Sequence, residues 1–370
     1  ETKQGSLLLI DRETTLRGGL TIEQQLGRWQ GVVRAWTQRL QRRSRNFRDA
    51  ELTDQSQLED LQAWRVGGQA LLTRALRRHH RVAVAAVFDH ERATVLDAQA
   101  QATAGTATVV EVAANGQTQT AKTKLDAAIG VAVPFGIGAN ASTPWLDAKL
   151  VGRWQPHRWF ELVATVARKG RTPTLRERYD RGIGNPTLGP EIANAGELRI
   201  MVTPPRLRFE AAPYLRQSTG TTRVSTATGR LENLGELNVI GIDLHASATV
   251  RTGWPRVRVG AAYTPVRATT NLIDGDALDR LPRRRGEGWI EMDPAKGWSL
   301  RLRLRGYGES LDQGQTVPGA ALVDGSLAYR WQQGNQATLR FDDAFDERPE
   351  LRTGFRAAGR TVMLGLALQW

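Results

Sequence analysis

Apolar and polar residues alternate along most of this chain, with the period of two that is typical of β-strands. Every second residue from Val362 to Trp370 is large and apolar, and in Leu300–Arg305 three leucines alternate with three arginines. Ile240–Arg251 alternates in the same way. A helix would instead repeat apolar residues at every third or fourth position. About eighteen segments alternate in this manner, which predicts an all-β chain.

One face of these segments is uncharged, whereas the other carries charges in mid-strand. The charged positions include Asp126, Asp147, Lys149, Glu161, Asp243 and Arg303. A soluble sandwich can also alternate, but a barrel that spans a membrane needs this division, because lipid tolerates no unpaired polar group. The pattern therefore favours an antiparallel transmembrane β-barrel.

The connections between the strands alternate between short and long. The short ones are Gly27-Arg28, Gln155–Arg158, Thr203–Arg206, Thr252–Pro255, Asp293–Gly297 and Gln332–Asn335. The long ones are Gln41–Glu59, Lys169–Asn194, Gln217–Glu236, Pro265–Gly286, Gly308–Pro318 and Ala344–Gly359. Short periplasmic turns and long extracellular loops are typical of outer-membrane barrels.

Tryptophan is concentrated near the predicted strand ends, where the aromatic girdles of such barrels lie. The residues concerned are Trp29, Trp64, Trp145, Trp154, Trp159, Trp254, Trp298 and Trp331. The alternative is that these rings simply pack at the margins of a sheet. Trp370 ends an alternating strand at the last position, and we interpret it as an outer-membrane assembly signal.

Composition narrows the class of protein further. The 370 residues contain no cysteine, which excludes a disulfide scaffold and a thiolate metal site. No apolar run approaches the roughly 18–20 residues of a membrane-spanning helix. The net charge is +13, but the arginines are scattered, which favours ordinary polar positions or a basic rim over nucleic-acid binding.

Three stretches of the chain carry distinctive motifs, the first of which is Arg171–Tyr179 followed by Asn185–Glu191 and Glu197. It resembles the "RxPxLxELY … NPxLxPE … E" motif of the TonB-dependent receptor family. Leu278–Arg284 resembles the segment that leads back into a barrel strand, and 339–370 resembles the closing "NLFDxxY … GY … GR … F". The last stretch departs from the family pattern at several positions: Asp343 and Ala344 replace Asn and Leu, Pro349 replaces Tyr, and Trp370 replaces Phe.

The resemblance implies a barrel of about 22 strands that a plug domain fills. Since the motifs run from about residue 10 to the end and we find no plug or TonB box, we expect residues 1–370 to be a partial barrel domain without the plug and first strands. The implied location is the bacterial outer membrane. The implied partners are TonB, outer-membrane lipid and lipopolysaccharide, the barrel assembly machinery and a small ligand.

The implied function is import of a scarce ligand such as a ferric siderophore. Long loops select the ligand, so we predict that it contacts loop residues able to bind an anion. The candidates are Arg176, Arg178, Tyr179, Arg283, Arg284 and Arg285. For each of them the alternative is an ordinary solvated loop side chain.

We expect no enzyme, no cofactor and no metal site. His79 and His80 are adjacent and indicate a turn, and the acidic residues from Asp342 to Glu350 lack the spacing of a calcium loop. Two other functions stay open at this point. One is a porin of about 16–18 strands without a plug, and the other is a structural or adhesive barrel.

Overall fold

A computed structural model describes residues 7–47, 55–97, 102–135, 143–179, 183–225, 228–233, 235–270, 281–312, 315–331, 334–352 and 355–369. The described residues form 23 strands and one short helix. Contacts divide them into two compact units. The first is Glu1–Gly152, Thr165–Ala195 and Gln217–Glu236, and the second is Arg153–Ala164, Gly196–Arg216 and Leu237–Trp370.

The strands follow one another along the chain with a single helix between them. The first part contains β1 Leu7–Leu26, β2 Trp29–Phe47, β3 Gln55–Arg77, β4 His80–Asp97, β5 Ala102–Gln119, β6 Thr123–Phe135, β7 Trp145–His157 and β8 Phe160–Arg171. Then come α1 Leu175–Tyr179, β9 Glu191–Val202, β10 Leu207–Thr219, β11 Thr222–Val224, β12 Leu231–Asn233, β13 Glu236–Arg251 and β14 Arg256–Thr270. The last part contains β15 Arg284–Asp293, β16 Trp298–Tyr307, β17 Ser310–Asp312, β18 Gln315–Val317, β19 Ala320–Trp331, β20 Asn335–Asp342, β21 Glu350–Arg352, β22 Phe355–Arg356 and β23 Thr361–Ala367.

Seventeen strands belong to one sheet, close to the eighteen segments expected from the sequence, and the other six form three small hairpins. In the first unit, β1 to β6 pair antiparallel, each with the next along the chain. In the second unit the order is β13, β14, β15, β16, β19, β20 and β23. The hairpins β11–β12, β17–β18 and β21–β22 lie within the long connections.

The expected division into two faces is confirmed. The apolar face is exposed, as Leu16, Ile129, Val166 and Leu364 show with 71%, 55%, 63% and 84% exposure. The opposite face, called the polar face below, carries ion pairs between neighbouring strands: Arg65–Asp89, Arg153–Glu161, Lys169–Asp147, Arg199–Glu210, Arg303–Glu287 and Arg305–Asp324. An apolar face that stays exposed while the charges are paired opposite suits a lipid environment.

The prediction that Gln41–Glu59 is a loop is wrong for most of its length. Strand β2 continues to Phe47 and β3 begins at Gln55, while 48–54 lies outside the described residues. Polar side chains pair across these strand ends, with Arg43 Nε 2.8 Å from Asp60 Oδ1. The ladder therefore continues beyond the roughly 9–11 residues needed to cross a bilayer.

Most of the expected girdle tryptophans lie at or beside short connections. These are Trp29, Trp154, Trp159, Trp254, Trp298 and Trp331. Trp145 is different: it is only 8% exposed, and it shares the polar face of β7 with Asp147. Its assignment to a lipid-facing girdle is wrong, because its ring packs over Gly170 of the neighbouring strand β8. Within the described residues, no helix has the length and apolarity to cross a membrane.

Candidate functional site: the loop between β8 and β9

The long connection between β8 and β9, residues 172–190, begins with a capped helical turn. Thr174 Oγ1 accepts a hydrogen bond from the Glu177 backbone N–H at 3.2 Å, and Glu177 Oε2 accepts one from the Thr174 N–H at 2.6 Å. This reciprocal arrangement is a capping box, which satisfies two donors at the start of a helix. It stabilises α1, a helix of only five residues that would not form in isolation.

Arg171 joins the two ends of this loop. Its guanidinium lies 3.0 Å from Glu177 Oε2 at the start of the loop and 2.9 Å from Glu191 Oε2 at the start of β9. Burial alone would raise the pKa of Glu177, but the hydrogen bonds from Arg171 and Thr174 outweigh it and the pKa is lowered. The motif residues Arg171, Glu177 and Glu191 therefore close the loop.

Two asparagines fasten the same loop to the β11–β12 hairpin. Asn185 Nδ2 donates to the Leu231 carbonyl at 2.8 Å. Asn233 Oδ1 accepts from the Gly189 N–H at 2.7 Å, and its Nδ2 donates to the carbonyls of Gly189 and Gly220 at 3.2 and 2.6 Å. One amide side chain thus satisfies three backbone groups, which would be costly to leave unpaired.

Apolar residues of the loop are buried. Leu175 and Leu188 are 3% and 1% exposed, and Pro173 is fully buried. The Tyr179 ring lies directly over Gly105 of β5, where a Cβ would overlap it. Gly105 therefore makes room for the loop on this strand, as glycine often does where another group approaches closely.

The structure places the three loop candidates differently. Tyr179 is half-buried against Gly105, and Arg178 is 1% exposed with no hydrogen-bond partner for its guanidinium among the described residues. Burial lowers the pKa of Arg178. The backbone of Arg176 lies in α1, and its side chain lies outside what the structure describes. Ligand contact by these residues stays a prediction.

Arg283, Arg284 and Arg285 are consecutive in the sequence, but neighbouring side chains of a strand point to opposite faces of the sheet. Arg285 Nη2 lies 3.9 Å from Asp243 Oδ1, on the polar face where Thr264 Oγ1 also donates to Asp243 at 2.6 Å. Arg284, the neighbouring residue on β15, points to the apolar face, and Arg283 precedes the strand. Of the three, Arg285 is the one whose side chain faces Asp243 on the polar face, and ligand contact by any of them stays a prediction.

The closing motif forms a second organised loop, 343–360. Asp324 Oδ1 accepts from the Asp343 N–H at 3.2 Å, and the Asp343 carboxylate accepts from the N–H groups of Glu347 and Arg348 at 3.0 and 3.1 Å. Asp346 pairs with Arg348 at 3.0 Å. These carboxylates accept hydrogen bonds from backbone N–H groups and pair with an arginine. Trp370, the expected assembly signal, lies outside the described residues.

Residues 137–343, more than half of the chain, match the TonB dependent receptor-like β-barrel family. The chain belongs to the TonB-dependent receptor family. The family identified from the loop motifs is therefore confirmed, and so is the all-β outer-membrane barrel fold.

Solved receptor structures share the fold at low identity. The copper transporter OprC has a TM-score of 0.83 and 11% identity over 96% of this chain and 65% of its own. The ferric-catecholate import receptor Fiu of E. coli K12 has a TM-score of 0.73 and 15% identity over 95% of this chain and 63% of its own. The siderophore receptor PiuA of Acinetobacter baumannii has a TM-score of 0.74 and 13% identity over 96% of this chain and 64% of its own. The chain thus spans less than two thirds of each of them. No curated protein matches the chain.

Sequence reasoning missed the residues that hold this receptor's loops in place. Gly105 and Asn233 lie outside the recognised motifs, and Asp324 resembles any charged residue on an alternating strand. One signal was available: Gly105 is a glycine inside a strand, which often marks a close approach of another group.

The capping box predicts a pH dependence of the loop. Because the pKa of Glu177 is lowered on folding, its stabilising effect is present above the ordinary pKa of about 4.3 and is lost as pH falls through the folded value. We expect amide exchange protection of residues 172–190 to be constant from about pH 7 to 5 and to fall below about pH 4.

The control is Glu177→Gln, which removes the charge but keeps the shape. It should lower protection at neutral pH and flatten the acid transition. An unchanged acid transition in Glu177→Gln would show that other groups set the pH dependence.

Proposed function

We propose that this chain forms the barrel part of an outer-membrane receptor that imports a scarce, anionic ligand such as a ferric siderophore, with energy delivered by TonB. The observation that carries the proposal is the pinned loop 172–190. Arg171, Asn233 and the Tyr179–Gly105 contact hold it against the polar face of the strands. A loop held in this way offers a fixed surface to an incoming ligand.

The charge of the molecule supports an anionic ligand. The chain has a net charge of +13, and Arg285 stands at the outer end of the polar face. A positive field around a site raises the local concentration of an anion and its rate of association. Ferric siderophores whose iron is held by carboxylate or catecholate oxygens carry such charge.

The similar structures support the class of function. OprC is a copper transporter, whereas Fiu and PiuA are siderophore receptors. On this proposal residues 1–370 supply a partial barrel, and a plug domain that TonB acts on completes the receptor. The assembly machinery and lipopolysaccharide are further partners that we propose on the same basis.

The test is uptake by the native host with and without this gene. Under iron limitation, loss of the gene should abolish accumulation of one class of ⁵⁵Fe-siderophore, and removal of TonB should have the same effect. Arg285→Ala should raise the apparent KM for uptake by about tenfold. The matched control Arg256→Ala, at the short-turn end of the neighbouring strand, should leave uptake unchanged.

Other outcomes would redirect the proposal. If the strain without the gene loses copper accumulation but keeps normal iron uptake, the imported ligand is copper rather than a ferric siderophore. A large, steady conductance of the purified protein in planar bilayers, together with uptake that is independent of TonB, would favour a porin-like channel and overturn the receptor mechanism.

A further inference from the structure

A groove lies on the apolar face of the second unit, at the outer ends of β14, β15, β16 and β19. Leu304 lines it, and this residue alternates with Arg303 and Arg305, whose ion pairs are on the polar face. The groove has a volume of about 360 Å³ and a mainly apolar lining. On the apolar face its lining includes Tyr263, Gly286, Gly288, Leu304, Gly306 and Ala321, with Arg284 at one end. Tyr307, Gly308, Arg285 and Glu287 also border it, but the side chains of Arg285 and Glu287 are paired with Asp243 and Arg303 on the polar face.

The fold does not require a glycine at position 288 or 306 in this groove. A Cβ on Gly288 would have only the Gly260 carbonyl within 4 Å, at 3.9 Å, and one on Gly306 only the Gly286 carbonyl, at 4.0 Å. Neither glycine has a positive φ, whereas Gly67 and Gly170 each lie under a tryptophan ring. Strand glycine costs conformational entropy, and without a packing reason it often marks a place where a ligand approaches the backbone.

The outer end of the groove is basic. Arg284 also lines an adjoining cavity of about 600 Å³, together with Arg267, Arg283 and Ile240. Arg267 and Arg284 share the apolar face, because Arg284 pairs with Pro265 in the register between β14 and β15 and Arg267 lies two residues beyond. All three arginines are exposed, and among the described residues none of them has a carboxylate partner.

An apolar groove on the lipid side with cations at its outer end suits a molecule that has both an acyl chain and a phosphate group. The short turns of these barrels are periplasmic, so the outer ends of β15 and β16 lie in the outer leaflet. Apolar grooves there accept acyl chains, and arginine binds phosphate through charge-assisted, bidentate hydrogen bonds. We propose that this groove is a specific site for the lipid A part of lipopolysaccharide, with an acyl chain over Gly288 and Gly306 and a phosphate on Arg284 and Arg267.

The proposal does not depend on the imported ligand, so the two can fail separately. The test is native mass spectrometry of the protein purified from outer membranes in mild detergent and titrated with diphosphoryl lipid A. We expect one tightly retained lipid A. Arg284→Ser should weaken binding by about tenfold, since it removes the phosphate contact, and Gly288→Leu should do the same by filling the groove.

Two matched variants control for charge and for size. Arg285→Ser removes the neighbouring arginine from the opposite face. Gly152→Leu adds the same side chain to the apolar face of β7, where nothing lies within 4 Å of a Cβ. Both should bind lipid A like the parent protein, and dephosphorylated lipid A should bind the parent as weakly as diphosphoryl lipid A binds Arg284→Ser.

Several results would overturn the proposal. One is that Arg284→Ser binds lipid A as tightly as the parent protein. Another is that lipid A binds equally well with and without its phosphates. The third is that Gly152→Leu weakens lipid A binding as much as Gly288→Leu does. A change in the number of protein copies per particle, with lipid retention unchanged, would instead identify the groove as a contact between copies of the chain.

Discussion

Replacing Gly105 with alanine is expected to detach loop 172–190 from its seat on β5. The new Cβ would overlap the Tyr179 ring, so α1 must move away, and the capping box and the buried Leu175 move with it. Overpacking of this kind costs about 1–3 kcal/mol, which is enough to open a loop that is only locally stabilised. We expect faster proteolysis within 172–190 and loss of ligand uptake.

Strand β5 provides its own control. Gly116 lies on the same strand, and a Cβ there would meet nothing within 4 Å. Gly116→Ala should leave the loop and uptake unchanged. Tyr179→Ala should suppress the effect of Gly105→Ala on proteolysis, because it makes room for the new methyl group, and such non-additivity measures the contact itself.

The prediction has a clear point of failure. If Gly105→Ala keeps parental protease resistance and uptake, then Tyr179 does not hold the loop. If Gly105→Ala lowers protease resistance as much in the Tyr179→Ala background as in the parent protein, the damage arises in the strand rather than in the loop.

Asp324→Ala is expected to have the largest effect on stability. Asp324 is 8% exposed, accepts from Arg305 Nη2 at 2.8 Å and accepts from the Asp343 N–H at 3.2 Å. Its removal leaves the half-buried Arg305 guanidinium with the Tyr307 hydroxyl but without its carboxylate, and leaves the buried Asp343 N–H without an acceptor. We expect this to cost about 3 kcal/mol. We expect a lower temperature for loss of the heat-modifiable folded band, and faster proteolysis in 343–360.

A second carboxylate, Asp342, tests whether the burial of Asp324 causes the destabilisation expected for Asp324→Ala. Asp342 pairs with Arg340 at 2.9 Å, but the arginine side chain is 59% exposed. Asp342→Ala should therefore cost at most about 0.5 kcal/mol. Asp324→Asn should be intermediate, since an amide oxygen can still accept from Asp343. Equal destabilisation by Asp342→Ala and Asp324→Ala would show that the network through Asp343 contributes little.

The position of the ligand-contact candidates shows what sequence patterns miss. Arg283, Arg284 and Arg285 form one basic run in the sequence, but strand geometry directs Arg285 to the polar face and Arg284 to the apolar face. Arg178 is similar to any loop arginine in sequence, and yet it is buried. Composition and motif alone do not distinguish these environments, because burial depends on which other segments cover a residue.

The sequence by itself determined the class of fold and the family. Period-two alternation has one structural explanation over a long chain, and the motif Arg171–Glu191 specifies its loop through capping and ion pairing between nearby residues. The tertiary structure decided which residues hold the loops. Gly105, Asn233 and Asp324 act on partners 74, 44 and 19 positions away, and contacts between such distant residues depend on register and loop path, which no local pattern encodes.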